Sequence, residues 1–418
     1  MFKKIFLFVS ILLITSLILG EAQQEVKLVF WQHGTGLEET EFYRKRIEDF
    51  NKAYKGKINV EFVVIERAGG MGYEEKVNIA AASGELPDIM ALDGPYTAVY
   101  AEAGILRPLG DLIDKTHLQD IVPSIIKQGT WNGKLYALGS MESSVAIYYN
   151  KKMFREVGIK NIPTSVDKAW TWDEFYNVCK KLKQKYPLAI VGLSGGLDEW
   201  LTYMATPFVW SNGGDIISPD GYKAEGYLNS PQTVEALTKV QQLFKEGLTA
   251  WDTGGLSFEK GQVPMMLSGP WGAIILKNFP EIEWGIIPYP KFKVHASPTG
   301  SWQWGITTKC KNPKEATEVI KWMTNADTVK GLCKVTGMLP TRKSVYLAFP
   351  EFSKLPLYIL KDQLLKSGHP RPSTPAYLNL TVEFQKAYAD IMQGADPKAT
   401  LDAAAKRVDT YIQRQFKK

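Results

Sequence analysis

The chain has 418 residues, more than one average domain contains, and this length favours two large lobes. A hydrophobic content of 45% with 22% charged residues is typical of a globular protein and excludes a disordered or fibrous chain. The formal net charge of +6 is dispersed, with no run of five basic residues, which argues against a nucleic-acid partner.

The N-terminus has the three parts of a secretory signal. Lys3 and Lys4 supply positive charge, Ile5–Leu19 is an apolar run, and Gly20 and Ala22 place small residues before a cut after Ala22. The apolar run is about 15 residues, which is short for a membrane span of about 20. We therefore expect residues 1–22 to be removed and the mature protein to be exported, periplasmic or otherwise extracytoplasmic, and soluble.

Strand and helix patterns alternate through the first quarter of the chain. They predict strands at Glu25–Trp31, Ile58–Ile65 and Pro87–Leu92, followed by helices that end near Tyr54, Ala82 and Ala103. This alternation predicts right-handed βαβ units and a mostly parallel sheet. In such sheets ligands bind at the carboxyl ends of the strands, which here lie near His33, Glu66 and Asp93.

The segment Trp131–Phe154 is predicted to contain two strands and a joint. Asn132-Gly133 is a strong turn signal, because both residues accept positive φ. Strands are predicted at Lys134–Leu138 and Val145–Tyr149, and Gly139-Ser140 between them permits a change of backbone direction. The segment therefore predicts either a hinge between two lobes, with Glu142 beside it, or an ordinary hairpin.

The alternation resumes after this segment and continues to the C-terminus. Strands are predicted at Leu188–Leu193, Val263–Leu267, Trp284–Pro288 and Gly300–Thr308. Helices are predicted at Asn150–Val157, Thr171–Tyr186, Trp200–Asn212, Ser230–Glu246, Ala273–Asn278, Pro313–Met323, Leu380–Met392 and Pro397–Phe416. The chain is therefore expected to be α/β throughout.

The cysteines and histidines do not form a recognisable metal motif. Cys179 lies in a helical pattern and is expected to be a small buried residue. Cys310 and Cys333 flank a helix and are a candidate disulfide in an oxidising compartment, although spacing alone does not define the geometry. The four histidines are scattered, so we expect no metal and no cofactor.

Five sequence blocks carry a resemblance to a known family. They are VKLVFWQHG, GELPDIMALDGPYTAVYAEAGILRPLGDLI, the segment Trp131–Phe154, FEKGQVPMMLSGPWGA, and SWQWGITTKCKNPKEATEVIKWM with GMLPTRKSV after it. In this order and behind a signal sequence, they resemble the extracellular solute-binding proteins of ABC importers. The resemblance is to the sugar-binding group that includes maltose-binding protein.

The resemblance implies a type II periplasmic binding protein-like fold. This is an α/β fold of two lobes, each a mostly parallel sheet flanked by helices, joined by a hinge that the chain crosses three times. The implied lobes are residues 23–140 with 300–330 and residues 141–299 with 331–418. The implied crossings lie near Gly139–Glu142, near Ser297–Trp302 and between Asn325 and Leu339.

The resemblance also implies what the protein contacts. The expected ligand is a carbohydrate, the expected membrane partners are the permease subunits of an ABC importer, and the receptor is expected to be a monomer and not an enzyme. The implied ligand residues are Trp31, His33, Asp93, Tyr96, Glu142, Tyr203, Trp271, Ser301, Trp302 and Tyr377. Leu92 stands where maltose-binding protein has a tryptophan, and Gly34-Thr-Gly36 replaces its charged pair, so maltodextrin specificity is in doubt.

These residue types suit a sugar. Tryptophan and tyrosine rings cover the C–H faces of a sugar ring, and carboxylates and amides bind its paired hydroxyls. Structural alternatives remain open for several of them: Asp93 as the cap of the following helix, His33 as a strand-end residue, and Glu142 as a solvated carboxylate.

Parts of the sequence are also compatible with three other functions. Gly192-Leu-Ser194-Gly-Gly196 matches a nucleophile elbow, but a tight turn after a strand explains it better. A glycoside hydrolase needs two facing carboxyl groups, which Asp93 and Glu142 offer as candidates. A peptide or polyamine receptor is the remaining alternative, and a polyamine site requires several carboxylates in the cleft.

Overall fold

Two separate sheets organise the chain, each covered by helices. The computed structural model describes residues 24–66 and 72–416, so the predicted signal at residues 1–22 lies outside the described part. The two-lobed α/β class expected from the sequence is confirmed.

The elements of the first part of the chain lead up to the predicted hinge. They are β1 (Val26–His33), α1 (Leu37–Ala53), β2 (Ile58–Ile65), α2 (Gly72–Ser83), β3 (Ile89–Asp93), α3 (Tyr96–Glu102), α4 (Lys115–Gln119), α5 (Pro123–Gln128), β4 (Thr130–Trp131), β5 (Lys134–Leu135), β6 (Ala137–Leu138) and β7 (Met141–Glu142). The single strand expected at Lys134–Leu138 is thus two short strands.

The second part of the chain supplies the other sheet and the C-terminal helices. Its elements up to β13 are β8 (Ala146–Asn150), α6 (Lys151–Glu156), α7 (Trp172–Lys183), β9 (Ile190–Val191), α8 (Glu199–Ser211), α9 (Pro231–Lys245), β10 (Met265–Ser268), α10 (Pro270–Ile275), β11 (Trp284–Ile287), β12 (Ser297–Thr299) and β13 (Trp302–Ile306). The remaining elements are α11 (Pro313–Met323), α12 (Ala326–Thr336), β14 (Leu339–Pro340), α13 (Tyr358–Ser367), β15 (Gly368–Pro370), α14 (Tyr377–Met392) and α15 (Pro397–Phe416).

The first sheet has the order β2-β1-β3-β13-β6, and the second has the order β11-β8-β10-β9. β1 runs parallel to β2 and β3, as expected from the βαβ pattern. β13 returns from the second sheet and runs antiparallel to β3 and β6, while β8 runs antiparallel to β10 and β11. Both sheets are therefore mixed, because strands that follow a passage between the lobes enter in the opposite direction.

The chain passes between the sheets where hinges were expected. It leaves the first sheet after β6 and enters the second at β8, and it returns between β11 and β13. The third predicted crossing contains α12, which packs against α1 and also places Val329 and Cys333 in a cluster with Tyr148 of β8. β14 then pairs with β7, so the crossing segments are themselves joined by a short sheet. The exact lobe boundaries remain a prediction.

Local sequence explains where the helices begin. Thr171 and Glu174 form a capping box at the start of α7, each side chain accepting a backbone N–H at the first turn. Ser230 caps α9, whose first residue is Pro231. α15 buries Leu401 against the core of the second lobe, as its helical spacing predicted.

All three cysteines are free and buried. Cys310 packs in the hydrophobic cluster of the first sheet, whereas Cys333 packs in a different cluster beside the second sheet. The disulfide considered from the sequence is therefore not formed, because the two thiols are committed to separate cores. Within residues 24–66 and 72–416, no helix has the length and apolar character needed to cross a bilayer.

We predict that Leu401→Ala lowers the free energy of unfolding by about 2–5 kcal/mol, because it leaves a cavity at a fully buried position. Urea denaturation of the mature protein measures the loss. Lys406→Ala, on the exposed face of the same helix, is the control and should stay within about 0.5 kcal/mol. Equal effects of the two substitutions would contradict the packing of α15 described above.

Candidate functional site

Two connected cavities lie between the lobes. The first chamber, of about 230 Å³, is lined among others by Asp93, Glu199, Tyr203, Trp271, Trp302 and Arg371. The second chamber, of about 640 Å³, is lined among others by His33, Leu37, Ile274, Ile275 and Val335. Both chambers share the walls formed by Met141, Trp271, Trp302 and Met338. They therefore form one cleft.

Strand and helix ends place the side chains of the first chamber. Asp93 is the last residue of β3 and lies opposite Trp302 of β13, so the first sheet presents both residues at one edge. α8 begins at Glu199 and carries Tyr203 one turn later on the same face. Trp271 lies in the first turn of α10, where its ring folds back over Gly269, and a Cβ there would come within 2.2 Å of the ring.

Aromatic rings form much of the chamber wall. Trp271 and Trp200 meet edge to face with ring centroids 6.0 Å apart. On the opposite side, the Trp302 ring lies over His33 with centroids 3.4 Å apart. Trp271 and Trp302 are both partly exposed, which leaves ring surface for a ligand. Flat apolar faces thus enter the cleft from both lobes.

One arginine joins carboxylates from the two lobes. Arg371 Nη2 donates to Asp93 Oδ1 at 2.6 Å, and Nη1 donates to Glu199 Oε1 at 2.7 Å. The guanidinium carbon also lies 5.0 Å from the centre of the Tyr203 ring. The side chain of Arg371 is only 5% exposed, so this charge is stable only because it is paired.

In this cluster, the attraction between opposite charges offsets the energetic cost of burying them. Burial acts to lower the pKa of Arg371, but the neighbouring carboxylates of Asp93 and Glu199 raise it above the ordinary arginine value. Burial raises the pKa of Glu199, and Arg371 partly offsets that rise. Both carboxylate oxygens of Glu199 already accept hydrogen bonds, since Tyr377 also donates to Oε1 and Thr381 donates to Oε2. Asp93 Oδ2 has no hydrogen bond to any described residue, so it is available to a ligand.

Glu142 is buried at the first passage between the lobes, where it organises the backbone. Its Oε1 accepts from the backbone N–H groups of Ser143 at 2.9 Å and Gly300 at 3.1 Å, and its Oε2 accepts from Gln128 Nε2 at 2.9 Å. Burial raises the pKa of Glu142 to about 7, although these hydrogen bonds act to lower it. One carboxylate thus holds both crossing segments, around residues 142 and 300, together.

A hydroxyl chain connects this hinge to the cleft. Tyr203 donates to Ser143 Oγ at 2.6 Å, and Ser143 Oγ donates to the carbonyl of Gly300 at 2.6 Å. A Cβ at residue 300 would come within 3.0 Å of Arg371 Nη2 and 3.1 Å of the Tyr203 ring, so glycine permits this close approach. The cleft wall and the hinge are therefore mechanically linked.

The chain is similar in sequence to the proteins of a known family. The family described as bacterial extracellular solute-binding protein matches residues 35–330. The chain belongs to this family.

Individual relatives of this solute-binding protein have modest identity but cover most of the chain. The diacetylchitobiose binding protein of Streptomyces coelicolor is 27% identical over 311 residues, covering 71% of this chain and 69% of the relative. The maltotriose-binding protein of Pyrococcus abyssi is 25% identical over 358 residues, covering 81% of this chain and 73% of the relative. The solved cyclic alpha-maltosyl-1,6-maltose binding protein of Arthrobacter globiformis superposes with a TM-score of 0.80 at 25% identity, covering 93% and 100% of the two chains.

The structure of this solute-binding protein brings together some of the residues predicted from the sequence. Residues that line the first chamber are Asp93, Tyr203, Trp271, Ser301 and Trp302, and His33 lines the second chamber. As ligand contacts they remain predictions.

The other four predicted residues line neither chamber. Trp31 lies beside Lys76, whose ammonium is 5.2 Å from its ring. Tyr96 and Tyr377 are buried and pack against each other, 5.9 Å between ring centroids. Glu142 serves the hinge as described. Their roles as ligand contacts also remain predictions, but here each has a structural role of its own.

Sequence reasoning missed Glu199, Trp200 and Arg371, which line the first chamber. A signal existed for α8, since Asp198 precedes an aromatic helix and caps it through the Trp200 N–H at 3.0 Å. Arg371 lies between Pro370 and Pro372 in an extended segment, and nothing local indicates partners that are 278 and 172 residues away.

Within residues 24–66 and 72–416, the groups considered for catalysis are held in structural contacts. Ser194 Oγ donates to the carbonyl of Ala250 at 2.9 Å, which is the bond of a structural turn. Glu142 is fully buried and its oxygens accept protein N–H groups, so it does not face Asp93 across open cleft space. Asp93 itself is bound to Arg371.

We predict that Arg371→Met lowers the free energy of unfolding by about 3–5 kcal/mol at pH 7, because it leaves two carboxylates buried without their partner. The loss should shrink at pH 5, since unpaired buried carboxylates take up protons more readily. Urea denaturation at both pH values measures it. Arg155→Met is the matched control, because its exposed pair with Glu283 should contribute less than about 1 kcal/mol. Similar losses in both variants would refute the role of Arg371.

We predict that Glu142→Gln changes how stability depends on pH. Because the pKa of Glu142 is raised from 4.5 to about 7, its contribution is fully present below pH 4.5 and is lost as the pH rises through 7. The wild type should therefore lose on the order of 1–3 kcal/mol relative to the variant between pH 5 and 8. Urea denaturation at each pH unit tests this, with exposed Glu281→Gln as the control. Parallel curves for wild type and Glu142→Gln would rule the effect out.

Proposed function

We propose that the protein is an extracytoplasmic receptor that binds a carbohydrate in the first chamber and delivers it to an ABC importer. The observation that carries this proposal is the pairing of Trp271 and Trp302, one from each lobe, around an ion-paired carboxylate, Asp93. Family membership supports the receptor role, and the relatives described above are named as binding proteins for diacetylchitobiose and maltotriose.

Each part of the chamber matches one part of a sugar. The rings of Trp271 and Trp302 offer apolar faces for the C–H groups, and Trp200 and Tyr203 extend this surface. Asp93 Oδ2 accepts from a hydroxyl, and a charged acceptor makes a stronger hydrogen bond than a neutral one. Because Arg371 holds the other oxygen, Asp93 is fixed before the ligand arrives, which lowers the entropy cost of binding.

The charge of the chamber is too small to favour a polycation. Arg371 compensates one of the two carboxylates with which it is paired, so the chamber is not a pool of free negative charge. A polyamine site requires several uncompensated carboxylates. The geometry thus supports a neutral polyhydroxylated ligand over a polyamine.

Binding without hydrolysis is the function this arrangement supports. A glycosidase needs an acid and a second carboxylate on either side of the bond. Here Asp93 is bound to an arginine and Glu142 is enclosed in the hinge. We therefore propose that the ligand leaves the protein unchanged.

Delivery requires a change of shape that the ligand stabilises. Each lobe supplies one tryptophan, so a bound sugar contacts both tryptophans only when the lobes are close together. A ligand shifts this equilibrium only by its preference for the closed state. We propose that the permease subunits of the importer recognise the closed arrangement and that the receptor works as a monomer without a cofactor.

The test is thermal stabilisation of the mature protein by a panel that includes glucose, maltotriose and N,N′-diacetylchitobiose. A ligand at a hundredfold excess over Kd should add about 2.7 kcal/mol of stability. Trp271→Ala should weaken the Kd by about 10- to 100-fold, because a large apolar face is lost. Trp251→Ala is the control, since Trp251 is also half-buried but lines neither chamber.

The recovered saccharide is then analysed by chromatography. Intact saccharide together with a Trp271-dependent shift supports the receptor. Cleaved saccharide would favour a glycosidase, and a shift with spermidine but with no saccharide would favour a polyamine receptor.

A further inference from the structure

The second chamber has a volume of about 640 Å³, against about 230 Å³ for the first. It opens directly from the first chamber past Met141 and Met338, so a ligand held in one has access to the other. Filled with solvent, a space of this size holds about 20 water molecules. Its walls decide which chemical groups replace that water.

Part of this wall is an aliphatic cluster, which lies beside the rings of Trp271, Trp302 and His33. Leu37 begins α1, Ile274 and Ile275 end α10, and Val335 lies in the last turn of α12. Leu37 is 78% exposed and Ile275 is 43% exposed, so two large apolar side chains lie open to solvent at this cavity. The two lobes both contribute to this surface, since α1 covers the first sheet and α10 follows β10 of the second.

Several of the polar groups in the same walls already have partners within the protein. Thr35 Oγ1 is 2.8 Å from Thr40 Oγ1, Glu39 Oε1 accepts from the Tyr43 hydroxyl at 2.9 Å, and Thr336 Oγ1 donates to the carbonyl of Leu332 at 2.9 Å. Glu38 is exposed at the rim, in the first turn of α1. The aliphatic cluster itself offers a ligand no hydrogen bonds, and the carboxylate of Glu38 lies at the rim rather than within the cluster.

The aliphatic cluster contrasts with the tryptophan rings that both chambers share, and it does not match the hydroxyl groups of a sugar ring. A sugar unit in the second chamber would exchange hydrogen bonds with water for contacts with Leu37, Ile275 and Val335. Polar groups buried without partners oppose binding. An apolar group in the same place releases water from aliphatic surface, which favours binding.

We propose that the second chamber binds an apolar aglycone, an alkyl or aryl group attached to the sugar that occupies the first chamber. This inference rests on the proposed carbohydrate function for the position of the sugar. The ligand class is then an amphiphilic glycoside, and a bare linear oligosaccharide fills the cleft less well. Leu37 and Ile275 are the residues that set this preference.

The competing explanation is that the side chains of Leu37 and Ile275 contact each other when the lobes close. In that case the apolar surface stabilises closure itself, and its loss weakens every ligand by the same factor. An aglycone site instead distinguishes between two glycosides that carry the same sugar. Matched pairs of ligands therefore separate the two explanations.

The experiment measures the Kd of methyl and butyl glycosides by titration calorimetry, using α-D-glucose, β-D-glucose and N-acetyl-β-D-glucosamine. Each additional buried methylene should tighten binding about fourfold, so the butyl glycoside should bind at least about tenfold more tightly than its methyl partner. Equal affinities for methyl and butyl glycosides in every pair would overturn the proposal and leave the receptor function intact.

Two variants test whether the higher affinity for butyl glycosides comes from the second chamber. Ile275→Ser and Leu37→Ser should each reduce the butyl advantage to less than about threefold while the Kd of the methyl glycoside stays within about twofold. Leu347→Ser is the matched control, because Leu347 is 91% exposed and lines neither chamber. An equal loss of affinity for methyl and butyl glycosides would establish that Leu37 and Ile275 act in lobe closure, and it would reject the aglycone site.

A probe without a sugar keeps the two proposals distinguishable. N-phenyl-1-naphthylamine is neutral and apolar, and its fluorescence rises on transfer to an apolar site. We expect saturable binding of one molecule per chain, which Ile275→Ser abolishes and Leu347→Ser preserves. Such binding with no affinity for any glycoside would refute the carbohydrate function yet support the apolar chamber. Absence of both probe binding and a butyl advantage would refute the chamber.

Discussion

A buried guanidinium between two lobes imposes constraints on everything around it. Arg371 is stable in the interior only while Asp93 and Glu199 both contact it, because an unpaired buried charge costs several kcal/mol. The end of β3, the first turn of α8 and the segment after β15 must therefore meet at one point. The same contact removes two nitrogen donors and two carboxylate oxygens from the reach of a ligand. Among the residues that the structure describes, Asp93 Oδ2 and partly exposed ring faces line the first chamber, and both suit a neutral sugar.

The hinge also depends on a buried ionisable group that needs its partners, here the carboxyl group of Glu142 instead of a guanidinium. Glu142 binds backbone N–H groups at two crossing segments, so the segments cannot separate without leaving buried polar atoms unpaired. Burial raises the pKa of Glu142 to about 7, although these hydrogen bonds act to lower it. Tyr203 links this hinge to the first chamber through Ser143 and Gly300. A ligand that contacts Tyr203 therefore acts on the hinge through two short hydrogen bonds.

Local patterns in the sequence predicted the elements well where a single element contains its own signals. β2, α11 and α15 begin and end where hydrophobic spacing and proline placed them, and β3 ends at Asp93 beside the expected edge. Strand direction was less predictable, because β13 joins β3 only after the chain has built the second lobe. Arg371 was missed for the same reason: its partners are far away in sequence, and a lone arginine between prolines has no periodicity to reveal it. The burial of Glu142 likewise depends on Gln128 and Gly300 together, which no local pattern brings together.

Different forces act on a ligand in the two chambers. In the sugar site proposed for the first chamber, a fixed carboxylate and ring faces would orient the ligand, and these contacts would discriminate between sugars because each misplaced hydroxyl leaves a polar group unpaired. In the second chamber, aliphatic surface from both lobes adds a force without direction, proportional to the area removed from water. That area is covered most completely when α1 and α10 approach each other over the ligand. An apolar group in the second chamber thus favours the closed state more than the open one, and this preference is what a receptor needs in order to signal occupancy by its shape.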